Sequence, residues 1–111
     1  MERLKCKFLD IDFKNPVITS SGCFGFGLEY KDYFDPNILG AIALKGITLE
    51  PRNGNFGTRV AETPAGMLNC IGLENPGIDY VRDVTLNDLK KSNVKTPIII
   101  NISGHNIDEY V

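Results

Sequence analysis

Ala41-Ile42-Ala43-Leu44-Lys45-Gly46 is the stretch on which the fold turns. Four apolar residues in succession show neither a helical period nor the alternation of a strand with one wet face. They suit a short strand covered on both sides, as in parallel sheets. The run ends on a lysine and a glycine. Two other stretches follow the same plan, Val17-Ile18-Thr19-Ser20-Ser21 upstream and Ile98-Ile99-Ile100-Asn101-Ile102 downstream. Each is apolar and β-rich, then polar towards its C-terminal end, at Ser20-Ser21, Lys45 and Asn101.

Helical signals separate these strands. Residues 28–35 carry a short helical pattern that stops near Pro36. Asn75 is placed to cap a second helix with Pro76 at its first position. Thr85-Leu86-Asn87-Asp88 reads as a capping box that restarts it, and Thr96-Pro97 ends it. Asn106 caps a last helix from Ile107 onward. Before the first strand, residues 4–8 and 11–13 alternate and predict a hairpin around Asp10, followed by a turn at Asn15-Pro16. Strands alternating with helices predict an α/β chain with a parallel sheet and right-handed crossovers. Ligands of such sheets sit at the carboxyl ends of the strands, where the three polar strand ends converge.

Residues 48–77 differ from the rest. Pro51, Gly54, Gly57, Pro64, Gly66, Gly72, Pro76 and Gly77 punctuate a connection of about 30 residues with little helical period. Loops that long in compact domains are uncommon and usually functional.

Composition narrows the function. The chain has 111 residues, 12 Lys plus Arg against 14 Asp plus Glu, and a net charge of −2. With no basic excess to neutralise phosphates, no nucleic-acid partner is expected. The longest apolar run is about four residues, far below the ~20 that span a bilayer, so no membrane partner is expected. Met1-Glu2-Arg3-Leu4-Lys5 leads into no apolar segment, so no secretory signal is expected and the location read is cytoplasmic. Cys6, Cys23 and Cys70 are far apart, form no C-x-x-C pair and accompany a single histidine, His105. That pattern supports free thiols in a reducing compartment and no metal site.

Several residues admit two readings. Gly22, Gly25 and Gly27 are out of order for the dinucleotide fingerprint G-x-G-x-x-G, and close backbone approach to a flat ligand suits them better. Lys45 is either a strand-end lysine reaching for solvent or a cation on a pocket floor that offsets developing negative charge. Its apolar and glycine flanks favour the pocket. Asn69-Cys70-Ile71-Gly72-Leu73 is either a plain turn or a segment presenting backbone N–H groups to an anion. Asn101, at a buried strand end, needs a partner that a ligand could supply. His105 reads as a surface loop residue.

The sequence also resembles a known family. The segments are Asn15-Pro16, Ser20-Ser21-Gly22-Cys23-Phe24-Gly25-Phe26-Gly27, Leu44-Lys45-Gly46, Glu50-Pro51-Arg52-x-Gly54-Asn55 and the run from Arg59 to Gly77. Together they resemble class 1 dihydroorotate dehydrogenases over essentially the whole chain, and the NAD-linked branch (1B) in particular. The resemblance implies an FMN enzyme on a (β/α)8 TIM barrel that oxidises dihydroorotate to orotate in pyrimidine biosynthesis. Dihydroorotate then loses a hydride to flavin N5 while a base removes a proton from the adjacent carbon. It implies Ser21, Lys45, Gly46 and Asn101 as flavin contacts. Lys45 also lies near the substrate. By the same resemblance, Asn69, Cys70, Ile71, Gly72 and Leu73 are expected to form the substrate loop, with Asn69 bonding orotate and the Ile71 to Leu73 N–H groups taking its carboxylate. It further implies that electrons leave through a partner subunit with FAD and an iron–sulfur cluster, and that the catalytic subunit forms a homodimer within a heterotetramer.

A TIM barrel takes about 250 residues and eight strands. Residues 1–111 would supply three βα units and the N-terminal hairpin, a partial barrel domain truncated at its C-terminus. The family's cysteine base, a second substrate asparagine, a later flavin lysine and the phosphate-holding glycines would fall beyond Val111. Neither Cys23 nor Cys70 takes the role of that base. Two other outcomes are an inactive fragment and a relative acting on another dihydropyrimidine. The isolated chain is expected to be inactive and poorly folded, because its sheet would have two long open edges.

Overall fold

The computed structural model describes residues 2–111. Met1, which begins the segment read for a secretory signal, lies outside them. The chain is a mixed α/β structure. Strands β1 (Cys6–Phe8) and β2 (Ile11–Phe13) form the expected antiparallel hairpin, with Cys6 opposite Phe13. Asn15 then makes the turn: its Oδ1 accepts from Val17 N–H at 3.0 Å and its Nδ2 donates to the Ile38 carbonyl at 2.8 Å.

Strand β3 (Ile42–Ile47) is the centre of the fold. Ile42, Leu44 and Ile47 are fully buried and cluster with Phe24 and Val81. Phe26, Phe34, Leu39, Ile78, Leu86, Val94 and Ile98 surround that cluster. Strand β6 (Ile98–Ile102) runs parallel to β3. Between them the chain crosses through a helical run: α1 (Ile78–Tyr80), a π turn (Val81–Thr85) and α2 (Leu86–Lys91). Val81 and Leu89 anchor this run against the sheet.

Five sequence-based expectations need correction. Residues 17–21 form no strand, only a single parallel bridge from Ile18 to Ala41. The Thr19 hydroxyl takes over the ladder's work, accepting from Ala43 N–H at 2.9 Å, because short polar side chains compete for backbone partners. Residues 28–35 form turns rather than a helix. Asn75 does not cap α1 directly; Gly77 holds the cap position without a side-chain bond. Thr85 continues the helix with helical dihedrals and no capping bond. Finally, β6 is only partly covered at Ile98 and Ile99 and exposed from Ile100 to Ile102.

Two further elements refine the reading. The long connection 48–77 contains an antiparallel hairpin, β4 (Val60–Thr63) and β5 (Gly66–Asn69), turned at Pro64-Ala65. Asn106 does cap the last helical turn, accepting from Glu109 N–H at 3.1 Å, but Ile107–Tyr110 is 3-10 rather than α. Among the described residues, no helix is long and apolar enough to cross a membrane.

Candidate functional site

The site is built around an irregularity in β3. Ala43 pairs with Ile99 and Gly46 with Asn101, so β3 carries one residue more than β6 between these pairs. Such a bulge bends the strand and re-aims a side chain. The Lys45 N–H leaves the ladder and donates instead to the Gly25 carbonyl at 3.0 Å. Gly25 stands at φ +58°, and a side chain there would collide with the Glu29 carboxylate. Phe24 fastens the glycine segment to the core, stacked on Tyr30 with ring centroids 4.9 Å apart.

Ser21 ties the polar strand ends together. Its hydroxyl donates to the Leu44 carbonyl at 2.7 Å and accepts from Asn101 Nδ2 at 2.9 Å. Gly46 lies beside them: a Cβ on it would stand 2.8 Å from Leu73 Cδ1 and 3.7 Å from Asn101 Nδ2. Thus Ser21, Gly46, Asn101 and Leu73 meet at one end of the sheet.

A depression of about 320 Å³ opens at this end, lined by Ser21, Gly22, Cys23, Lys45, Asn69, Ile71 and Leu73. Gly22 stands at φ +82° with nothing within 4 Å of where a Cβ would be, so its backbone is open to close approach. Among the described residues, nothing pairs with the Lys45 ammonium or the Asn101 carboxamide oxygen.

The loop after β5 forms the other wall. Gly72 (φ +79°) and Leu73 (φ +57°) are consecutive left-handed residues. Among the described residues, no hydrogen bond uses the N–H of Ile71, Gly72 or Leu73. Behind the loop, Arg59 Nη1 bonds Glu74 Oε2 at 2.9 Å and the Asn53 carbonyl at 3.2 Å. The buried Asn75 amide bonds Thr48 and the Leu73 carbonyl, and accepts from Gly77 N–H.

The structure therefore gathers Ser21, Lys45, Gly46, Asn69, Ile71, Leu73 and Asn101. Cys70 and Gly72 do not line the depression; both rest against Asn55. Gly22 and Cys23 line it and had no separate place among the candidates. Their signal was the glycine stretch that follows Ser21. His105 lies outside it, where Nε2 accepts from Arg52 Nη1 at 2.9 Å.

Fold and site together define an α/β protein with a polar-lined depression at the carboxyl end of a parallel strand pair. A family model described as dihydroorotate dehydrogenase matches residues 3–111. The chain belongs to the dihydroorotate dehydrogenase family. It is 63% identical over 111 residues to the catalytic subunit of dihydroorotate dehydrogenase B (NAD(+)) from Brachyspira hyodysenteriae, covering 100% of this chain and 36% of that one. The corresponding subunit of Streptococcus pneumoniae strain R6 is 53% identical over 108 residues, with 97% and 35% covered. That of Cutibacterium acnes is 50% identical over 111 residues, with 100% and 36% covered. The chain thus spans about a third of the length of the curated relatives it matches.

Proposed function

We propose that the chain is part of an FMN-dependent enzyme that oxidises dihydroorotate to orotate for pyrimidine synthesis. In this reading residues 1–111 form the first βα units of a (β/α)8 barrel. The catalytic base and the phosphate site then come from sequence outside these residues. The observation that carries the proposal is that, among the described residues, the Lys45 ammonium has no partner on one side of the depression, while the N–H groups of Ile71 and Leu73 on the other side, and of Gly72 between them, have no acceptors. That donor set suits a planar anion resting on a flat cofactor.

The residues fit FMN. Gly22 leaves its backbone open to a planar ring, while Ser21, Lys45 and Asn101 supply polar atoms at the ring's edge. A bound FMN would supply the hydride acceptor for the oxidation of dihydroorotate. Lys45 offsets the negative charge that the reduced ring gains, an electrostatic role typically worth about a hundredfold or more in rate. Asn69 bonds the pyrimidine, and the N–H groups of Ile71, Gly72 and Leu73 hold its carboxylate. Gly46 lets Leu73 and Asn101 approach the strand, and Cys70 positions the loop's backbone.

The relatives' name, catalytic subunit of an NAD(+)-linked enzyme, supports a partner. The partner proposed here carries FAD and an iron–sulfur cluster and passes electrons to NAD, in a heterotetramer built on a homodimer of the catalytic subunit. The reading is tested in the native protein that carries this chain. It should purify with FMN and convert dihydroorotate to orotate. Lys45→Ala should weaken flavin retention and lower turnover about a hundredfold; unchanged flavin content and turnover would remove Lys45 from the site.

A further inference from the structure

We propose that Asn55 is the positioning residue of the Asn69–Leu73 loop, setting the N–H groups that hold the substrate carboxylate; this rests on the function proposed above. Asn55 lies outside the depression and touches the loop from behind. Its backbone N–H donates to the Ile71 carbonyl at 2.9 Å. Its side-chain Nδ2 donates to the Cys70 carbonyl at 3.1 Å and lies 3.0 Å from Cys70 Sγ. The two carbonyls that flank the Ile71 N–H and follow it are therefore both held by one residue.

The fit is tight on the other side as well. A Cβ on Gly72 would lie 2.7 Å from the N, Cγ and Oδ1 of Asn55. Gly54 (φ +75°) brings Asn55 there, and a side chain on Gly54 would collide with the Ile71 carbonyl. Gly54-Asn55 is thus a platform on which Cys70, Ile71 and Gly72 rest. A peptide plane fixes its N–H opposite its C=O. Holding the Cys70 carbonyl to Asn55 fixes the Ile71 N–H, and holding the Ile71 carbonyl fixes the Gly72 N–H. The donors on the cavity side are set by the acceptors on the Asn55 side.

This arrangement predicts a particular kinetic signature. The carboxylate is not the reacting group, so its contacts act alike on bound substrate and transition state. Losing them raises KM and leaves kcat nearly unchanged. A residue that merely stabilised the fold would instead reduce the amount of flavin-loaded protein.

The test uses the native flavin-loaded protein and its Asn55→Ala and Asn55→Asp variants. Orotate binding is followed by its perturbation of the flavin absorption spectrum, together with KM and kcat for dihydroorotate. Asn55→Asp keeps the volume beneath Gly72 and removes the donor, so it carries the test if Asn55→Ala folds poorly. Both variants are expected to weaken orotate binding about tenfold and raise KM similarly, with kcat and FMN content per folded protein within twofold of the parent. Parental orotate affinity in Asn55→Asp, or a loss that follows flavin content alone, overturns the proposal. If the parent itself shows no response to orotate, the functional reading fails first and the positioning role falls with it.

Discussion

Single residues at this site differ in what the backbone asks of them. Gly46 packs against the loop and Gly72 belongs to it, yet their substitutions should diverge. An alanine at Gly72 must adopt φ near +79° and would meet the backbone N of Asn55 at 2.7 Å. Alanine at a left-handed position costs about 1 kcal/mol before any clash is counted. An alanine at Gly46 meets only the end of the Leu73 side chain, which can turn away. Gly72→Ala should therefore weaken orotate binding by about tenfold and Gly46→Ala by less than about threefold, read from titration of the flavin spectrum. Equal effects would show that the loop is not held by its contact with Asn55. The place of Lys45 beside the depression was legible in its flanks. The bulge that frees it from the ladder was not, because a bulge depends on which carbonyl competes for one N–H, here that of Gly25.

Elements that were strongly apolar were legible, and those that depend on competition were not. Strands β3 and β6 stood out because an unbroken run of aliphatic residues favours a strand, although only β3 proves buried along most of its length. Residues 17–21 begin with the same β-rich signal, but Thr19 and Ser21 use their hydroxyls where a strand would use its backbone. The β4–β5 hairpin was hidden because its strands are exposed throughout and its turn lies in a segment dense with Pro and Gly. At the last 3-10 turn, a side-chain chain of contacts joins distant elements. Arg52 can only donate, so His105 Nε2 accepts and the ring proton sits on Nδ1, facing Glu109 Oε2 at 3.1 Å. Backbone and side-chain donation from His105, with the charge of Arg52, holds the Glu109 carboxyl below its usual range. A carboxylate with a depressed pKa in the folded state stabilises above the unfolded value near 4.5, and that contribution is lost as pH falls through the folded value. An NMR titration of Glu109 should give a midpoint below 4.5, and the Arg52→Ala variant should shift it upward. A midpoint at or above 4.5 would contradict the hydrogen-bonded arrangement.

At the scale of the whole molecule, the chain is more open than its length requires. Its radius of gyration is 15.8 Å, against about 13 Å for a compact chain of this size. Its accessible surface is 8118 Å², against about 6,100 Å² for a folded protein of this mass. The surplus includes large apolar residues on β6, Ile100 and Ile102, and on the β4–β5 hairpin, Val60, Met67 and Leu68. Among the described residues, β6 pairs only with β3, so its outer edge is open. The 111-residue chain by itself should bind a dye specific for exposed apolar surface and melt without a sharp transition; a cooperative transition would show that the small core around Leu44 and Val81 suffices. The parallel α/β plan was legible because burial pattern and strand-end polarity agree. The shape of the pocket was not, because it depends on the Cys70–Leu73 loop being braced by Asn55, 15 residues upstream of Cys70. In the function proposed for it, this pocket serves dihydroorotate oxidation by a bound flavin. The most direct test mixes the native flavin-loaded protein with dihydroorotate in the absence of oxygen and any electron acceptor. The flavin absorbance should bleach and one orotate should form for every two electrons taken up by the protein's bound redox groups. A flavin that stays oxidised under dihydroorotate, yet bleaches with a chemical reductant, would contradict the claim.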